Sequence, residues 1–268
     1  NLHGVYSLSE HPPFVPTVYR EPAYPFFVSL VNNIFGSDPK WLMISQMVLL
    51  YLGAYLFGIS TGMLAGPVIG RILRITVMFY PTLLDYCRFA LSEILSFFLL
   101  MVFILSFLKL MEKNKLFWVI LCGFSYAGLM LCKVAMLYFM LVLFLYVFLT
   151  SFANKKGSVF IGLMCVLSCL IIIPWMLRVY SLSGKFNLTS GREGMNLYAR
   201  AYKVNYTWSD IVKDIVFNFS ERLGRKVFPR AIDGLSADTF TYRVLEQIEP
   251  YIASLRLNGL NESQINEV

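Results

Sequence analysis

The chain is poor in charge, in histidine and in any motif of soluble-enzyme chemistry. Charged residues make up 15% of its 268 residues, against about 25% in ordinary soluble domains, so a water-soluble globule of this length is excluded. Two histidines, His3 and His11, read as solvated loop residues, and a metal centre would have to recruit carboxylates from elsewhere. Five cysteines give no disulfide framework. Cys122, Cys132, Cys165 and Cys169 lie inside apolar runs, where free Cys behaves as a small hydrophobe. No phosphate-cradling glycine loop, serine–histidine hydrolase motif or zinc-binding HExxH helix is present.

What the chain has in abundance is hydrocarbon. Hydrophobic residues reach 57% and mean hydropathy is +0.64, the composition of an all-α polytopic membrane protein. The formal charge of +7 is explained by cations flanking membrane spans beside anionic headgroups; nucleic acid is not an expected partner, and membrane lipids are.

Three regions follow. Residues 1–40 form an outer loop: Pro12, Pro13, Pro16 and Pro22 preclude helix or central strand. A short apolar piece, 25–35, then lies at the interface, too short for a core of about 30 Å. Asp38 caps the next helix with Pro39 in its first turn. Residues 41–176 form the transmembrane domain, with spans at 41–62, 67–84, 89–108, 116–132, 134–150 and 158–176. Residues 177–268 form a soluble tail with amphipathic pieces at 209–219 and 241–255.

The division of 116–150 rests on length and charge. One helix there would be about 52 Å long, beyond any ordinary bilayer core. Lys133 at its midpoint would cost about 2.5–3.5 kcal/mol on insertion scales. Two spans also put Lys109, Lys113 and Lys115 on the same side as Lys155 and Lys156, as the cytoplasmic lysine excess requires. Residues 1–40, the 85–88 turn, Lys133 and the tail are then extracytoplasmic. Arg20, Glu21, Asp85, Arg88, Glu93, Lys133 and Arg178 gather on that side. Ionisable groups at membrane depth are costly and are functional or paired. Cations there suit a lipid phosphate, Arg as a fork and Lys as a point charge.

Five short motifs in order carry a family resemblance. Tyr6-Ser7-Leu8 with Arg20-Glu21-Pro22-Ala23-Tyr24-Pro25 resembles the first outer loop of GT-C fold membrane glycosyltransferases, in the branch of protein O-mannosyltransferases and aminoarabinose transferases. Leu91-Ser92-Glu93 resembles that branch's Leu-Ser/Thr-Glu. Gly128-Leu129-Met130-Leu131-Cys132-Lys133 resembles its Gly-Leu-x-x-Leu-x-Arg, with lysine for arginine. Pro174-Trp175-Met176-Leu177-Arg178-Val179-Tyr180 resembles Pro-Trp-x-x-Arg-Asn-Tyr, and Gly194-Met195-Asn196-Leu197-Tyr198 resembles Gly-x-Asn-Leu. The stretch covered is 6–198.

The resemblance implies a GT-C-like helical bundle and an inverting transfer of sugar from a polyprenyl-phosphate carrier to an acceptor hydroxyl at the outer face of the plasma (inner) membrane. Arg20, Lys133 and Arg178 are then the expected phosphate contacts, and Glu21, Tyr24 and Glu93 shape the sugar or acceptor side. The family's catalytic aspartate, a general base, is expected upstream of Asn1, beyond a further N-terminal helix. No cofactor is implied, though a divalent cation is compatible with the chemistry. The same charges could instead line a lipid flippase or transporter, or serve a non-catalytic lipid-binding membrane protein. A flippase would favour inverted repeats and charges spread through the membrane depth, and the sequence has neither.

Overall fold

The structure is a computed structural model that describes residues 20–139, 155–184, 186–189, 208–219 and 226–228, together with 141, 142, 145 and 149. The described residues are helical and include no strand. The chain divides into two compact units, one ending at Leu188 and the other beginning at Thr189.

In the first unit, α1 (Ala23–Phe35) starts at Pro22 and stops at Gly36, whose φ of 90° favours glycine. The Asp38 side chain accepts the Lys40 N–H at 2.9 Å, capping α2 (Pro39–Ala65) with Pro39 in the first turn. Gly66, at φ 95°, turns the chain into α3 (Pro67–Met78). A proline opens α4 (Pro81–Tyr86). Then come α5 (Glu93–Lys113) and α6 (Leu116–Met130), a 3₁₀ turn at Val134–Leu137, and α7 (Lys155–Ser183).

Among the described residues three helices are long and apolar enough to cross a membrane: α2, α5 and the Val159–Ser183 part of α7. Their exposed and buried residues are inverted relative to a soluble protein. Ile44, Val48, Tyr51, Leu52 and Tyr55 run exposed along α2, whereas Gln46, Ser60, Ser106, Ser125 and Ser168 are buried. This is a helical, membrane-embedded protein. The apolar stripes face what would be lipid, and small polar residues face neighbouring helices.

The stretch expected as one span at 67–84 is broken. Helix α3 ends at Met78, and Phe79, Tyr80 and Pro81 interrupt the backbone ladder, since proline supplies no N–H. Even so, the broken piece returns along α2. Gly70 packs against the backbone of Gly58 and Gly62, the Arg74 guanidinium lies 5.5 Å over the Tyr55 ring, and the Gln46 amide reaches the carbonyls of Cys87 and Phe89. Gln46 precedes the end of α2 by about 19 residues, roughly 28 Å of helix, so the return covers about one hydrocarbon thickness.

Helix α5 runs parallel to α2, with Leu50 packed among Cys87 and Ile94 and Gly53 against Phe97. Helix α6 runs antiparallel to α5, with the Phe103 and Tyr126 rings tilted against each other at 4.9 Å and Gly128 against Leu99. Helix α7 closes on α6 where Leu167 sits over Gly123 and the Ser168 hydroxyl donates to the Gly123 carbonyl at 3.1 Å. The main core is shared by α5, α6 and α7 and includes Tyr126, Met130, Ile161 and Met164.

Helix α6 ends at Met130, and Lys133 is extended (φ −143°, ψ 106°) ahead of the 3₁₀ turn, so the chain breaks where length and charge place the division. Residues 139, 141, 142, 145 and 149 are helical. Helix α7 continues past Pro174 to Ser183, whereas the sequence reading stops its span at 176. An internal proline removes one ladder bond but does not prevent Val179 from burying itself, and Val179 is fully buried. Gly184, at φ 70°, ends the helix. The second unit contains α8 (Trp208–Phe219); the sequence motif at 194–198, the piece at 241–255 and residues 1–19 lie outside the described residues.

Candidate functional site

Antiparallel pairing of α5 with α6 brings the start of one to the end of the other. Glu93 opens α5 and Lys133 follows α6, and the Lys133 Nζ lies 2.6 Å from Glu93 Oε1. Both side chains are half-buried. The pair resolves the cost of each charge: a lysine at membrane depth is expensive alone and tolerable beside a carboxylate. Glu93 Oε2 is buried and has no hydrogen-bond partner among the described residues, so half of this carboxylate is uncommitted.

Tyr24 joins them from the start of α1. Its phenol is pushed well above its ordinary range, first by burial and then by the nearby carboxylate of Glu93. The neutral hydroxyl donates to Gln46 Oε1 at 3.2 Å. The Ala23 N–H donates to the Leu131 carbonyl at 3.1 Å, so α1 is tied by its first turn to the turn that leads into Lys133. Cys132 sits beneath, its Sγ 3.1 Å from the Ser96 hydroxyl, within electrostatic range of Glu21, Glu93 and Lys133.

Four of the six expected site residues, Glu21, Tyr24, Glu93 and Lys133, therefore share one neighbourhood. Arg20 immediately precedes them and is exposed, and like Glu21 it interacts with other residues of the chain. Arg178 is carried by a different helix. On the last turns of α7 its guanidinium stacks on Trp175 at 5.6 Å, and the Trp175 indole N–H donates to the Leu188 carbonyl at 2.8 Å. Arg178 Nε is buried with no hydrogen-bond partner among the described residues, and no described hydrogen bond or ion pair links Arg178 to Glu93 or Lys133.

Sequence reasoning passes over Gln46. This side chain, 1% exposed, satisfies its whole amide: Nε2 donates to the carbonyls of Cys87 at 3.1 Å and Phe89 at 2.9 Å, and Oε1 accepts from Tyr24. The signal for it is a lone amide within the apolar run of α2, because an amide inside a membrane must find partners on neighbouring elements. The described residues contain no group of three metal-ligating side chains.

Comparison with protein-family models, curated proteins and solved structures returned no match for this chain.

Proposed function

We propose that this protein is a GT-C-like membrane glycosyltransferase that takes a sugar from a polyprenyl-phosphate carrier at the end of the bundle where α1 begins, α5 begins and α6 ends. That end lies at the outer face of the plasma membrane. The supporting observation is convergence: three motifs far apart in sequence, at 20–25, 91–93 and 128–133, come together around the 2.6 Å pair of Glu93 and Lys133.

The chemistry available there fits a phosphodiester next to a sugar. An ammonium has three N–H donors; the Glu93 contact uses one and leaves others for a phosphate oxygen. Glu93 Oε2, with no partner among the described residues, suits a sugar or acceptor hydroxyl. The Tyr24 phenol, held neutral by burial, adds a hydroxyl at the same place. Arg20 and Arg178 supply further positive charge, the latter with a buried Nε that has no hydrogen-bond partner among the described residues. The apolar tail of the carrier needs only the exposed hydrocarbon faces of the helices.

The reading is tested on the full chain in nanodiscs by binding of a long-chain polyprenyl phosphate, with the uncharged polyprenol as reference. A hydrogen bond to a charged group contributes about 1.5–3 kcal/mol, so Lys133→Met is expected to weaken the phosphate about 10- to 100-fold and leave the polyprenol unchanged. Equal affinities for phosphate and polyprenol in the unaltered chain would overturn the reading.

A further inference from the structure

Helix α8, Trp208–Phe219, is amphipathic in a way the proposed site does not use. By helical register Trp208, Val212 and Ile215 share one face, and Lys213 lies on the opposite one. Trp208 is 83% exposed, Ile215 62% and Val212 50%. Lys213, on the polar side, is half-buried and engaged with other residues of the chain. Trp208, Val212 and Ile215 thus point outward while Lys213 is the sheltered one. A helix in water would be expected to do the reverse, whereas one seated on hydrocarbon would present this face.

We propose that α8 is a membrane-surface helix, lying in the interface of the bilayer with Trp208 as its anchor. Two observations single out a lipid surface as the occupant. The described residues of the same chain include three helices long and apolar enough to cross a membrane. The linker from the end of α7 to Trp208, about 25 residues, can span at most roughly 85 Å, so the bilayer is always within reach at high effective concentration. The sequence of 208–219 has two carboxylates to one ammonium, so attachment comes from apolar burial and needs no anionic headgroup. Tryptophan suits this depth, its ring in the acyl boundary and its N–H toward water.

The test uses the full chain in phosphatidylcholine nanodiscs. Of the four tryptophans, Trp208 is isolated by subtracting the emission of Trp208→Phe from that of the unaltered protein. The difference signal is expected to be quenched several-fold more by lipid brominated near the glycerol end of its acyl chains than by aqueous iodide. Adding anionic lipid or salt should not change it. Val212→Asp with Ile215→Asp should reverse the order of the two quenchers at Trp208 and leave the other three tryptophans as they were. Quenching by iodide alone would show α8 in water, and quenching by neither agent would show it covered by protein; either result overturns the proposal.

Discussion

A lysine and a glutamate that meet at 2.6 Å can each be a liability when the other is removed. Glu93 already has one oxygen without a partner among the described residues, so Lys133→Met would leave the carboxylate half-buried and without its one described partner. A loss of roughly 1–3 kcal/mol is expected, measured as resistance to unfolding in detergent. Adding Glu93→Gln to Lys133→Met removes the charge that is left over, so the double variant should be more stable than Lys133→Met alone. Equal or greater destabilisation would show that the pair is not coupled. Cys87 offers a second residue-scale check. It is 1% exposed and burial pushes its thiol up to about 11. Raising a thiol's pKa depletes the reactive thiolate, so maleimide at pH 7 should leave Cys87 unmodified until the protein is unfolded. Rapid labelling of the folded protein would mean that the 87–89 turn is open. Of the site, the charged members were legible from sequence because an ionisable group beside a long apolar run stands out. Gln46 was not, because a single uncharged amide leaves hydropathy nearly unchanged although it makes three hydrogen bonds.

Contacts between elements depend on residues too small to register as hydrophobic signals. A Cβ on Gly70 would come within 2.8 Å of the Gly62 backbone, so the turn of α3 onto α2 requires glycine there. Gly70→Val should separate the two helices and lower the unfolding midpoint markedly. Gly162 is the control: nothing lies within 4 Å of a Cβ there, and Gly162→Ala should be neutral or stabilising by up to about 1 kcal/mol. Similar destabilisation by both would contradict the close α2–α3 packing. Apolar run length was enough to find α2, α5 and most of α7, because a bilayer core imposes a minimum on each. It misplaced the broken return through α3 and α4, and it ended α7 too early. In both cases a proline was the ambiguous signal. Pro81 opens a new helix after the ladder has stopped, while Pro174 sits within a helix that continues.

At the scale of the molecule, the two ends of the first unit differ in kind. One carries Lys109 paired with Glu112 at 2.8 Å on an exposed surface, a contact of the sort that contributes little. The other gathers Glu21, Tyr24, Glu93 and Lys133 around half-buried charge, with α1 fastened over it by the Ala23–Leu131 hydrogen bond. A membrane helix's composition shows that it crosses but not which neighbours it meets, so this convergence emerges only from the pairing of α5 with α6 and from the tie of α1 to α2 and to Leu131. The proposed carrier site is this second end. Photo-crosslinking tests it most directly, using the full chain in nanodiscs and a polyprenyl phosphate bearing a diazirine beside its phosphate. Adducts are expected in peptides containing Tyr24, Glu93 or Lys133, suppressed by excess unlabelled polyprenyl phosphate. Adducts concentrated at Lys109–Lys115, or spread evenly over the lipid-facing stripes and unaffected by competitor, would contradict the assignment.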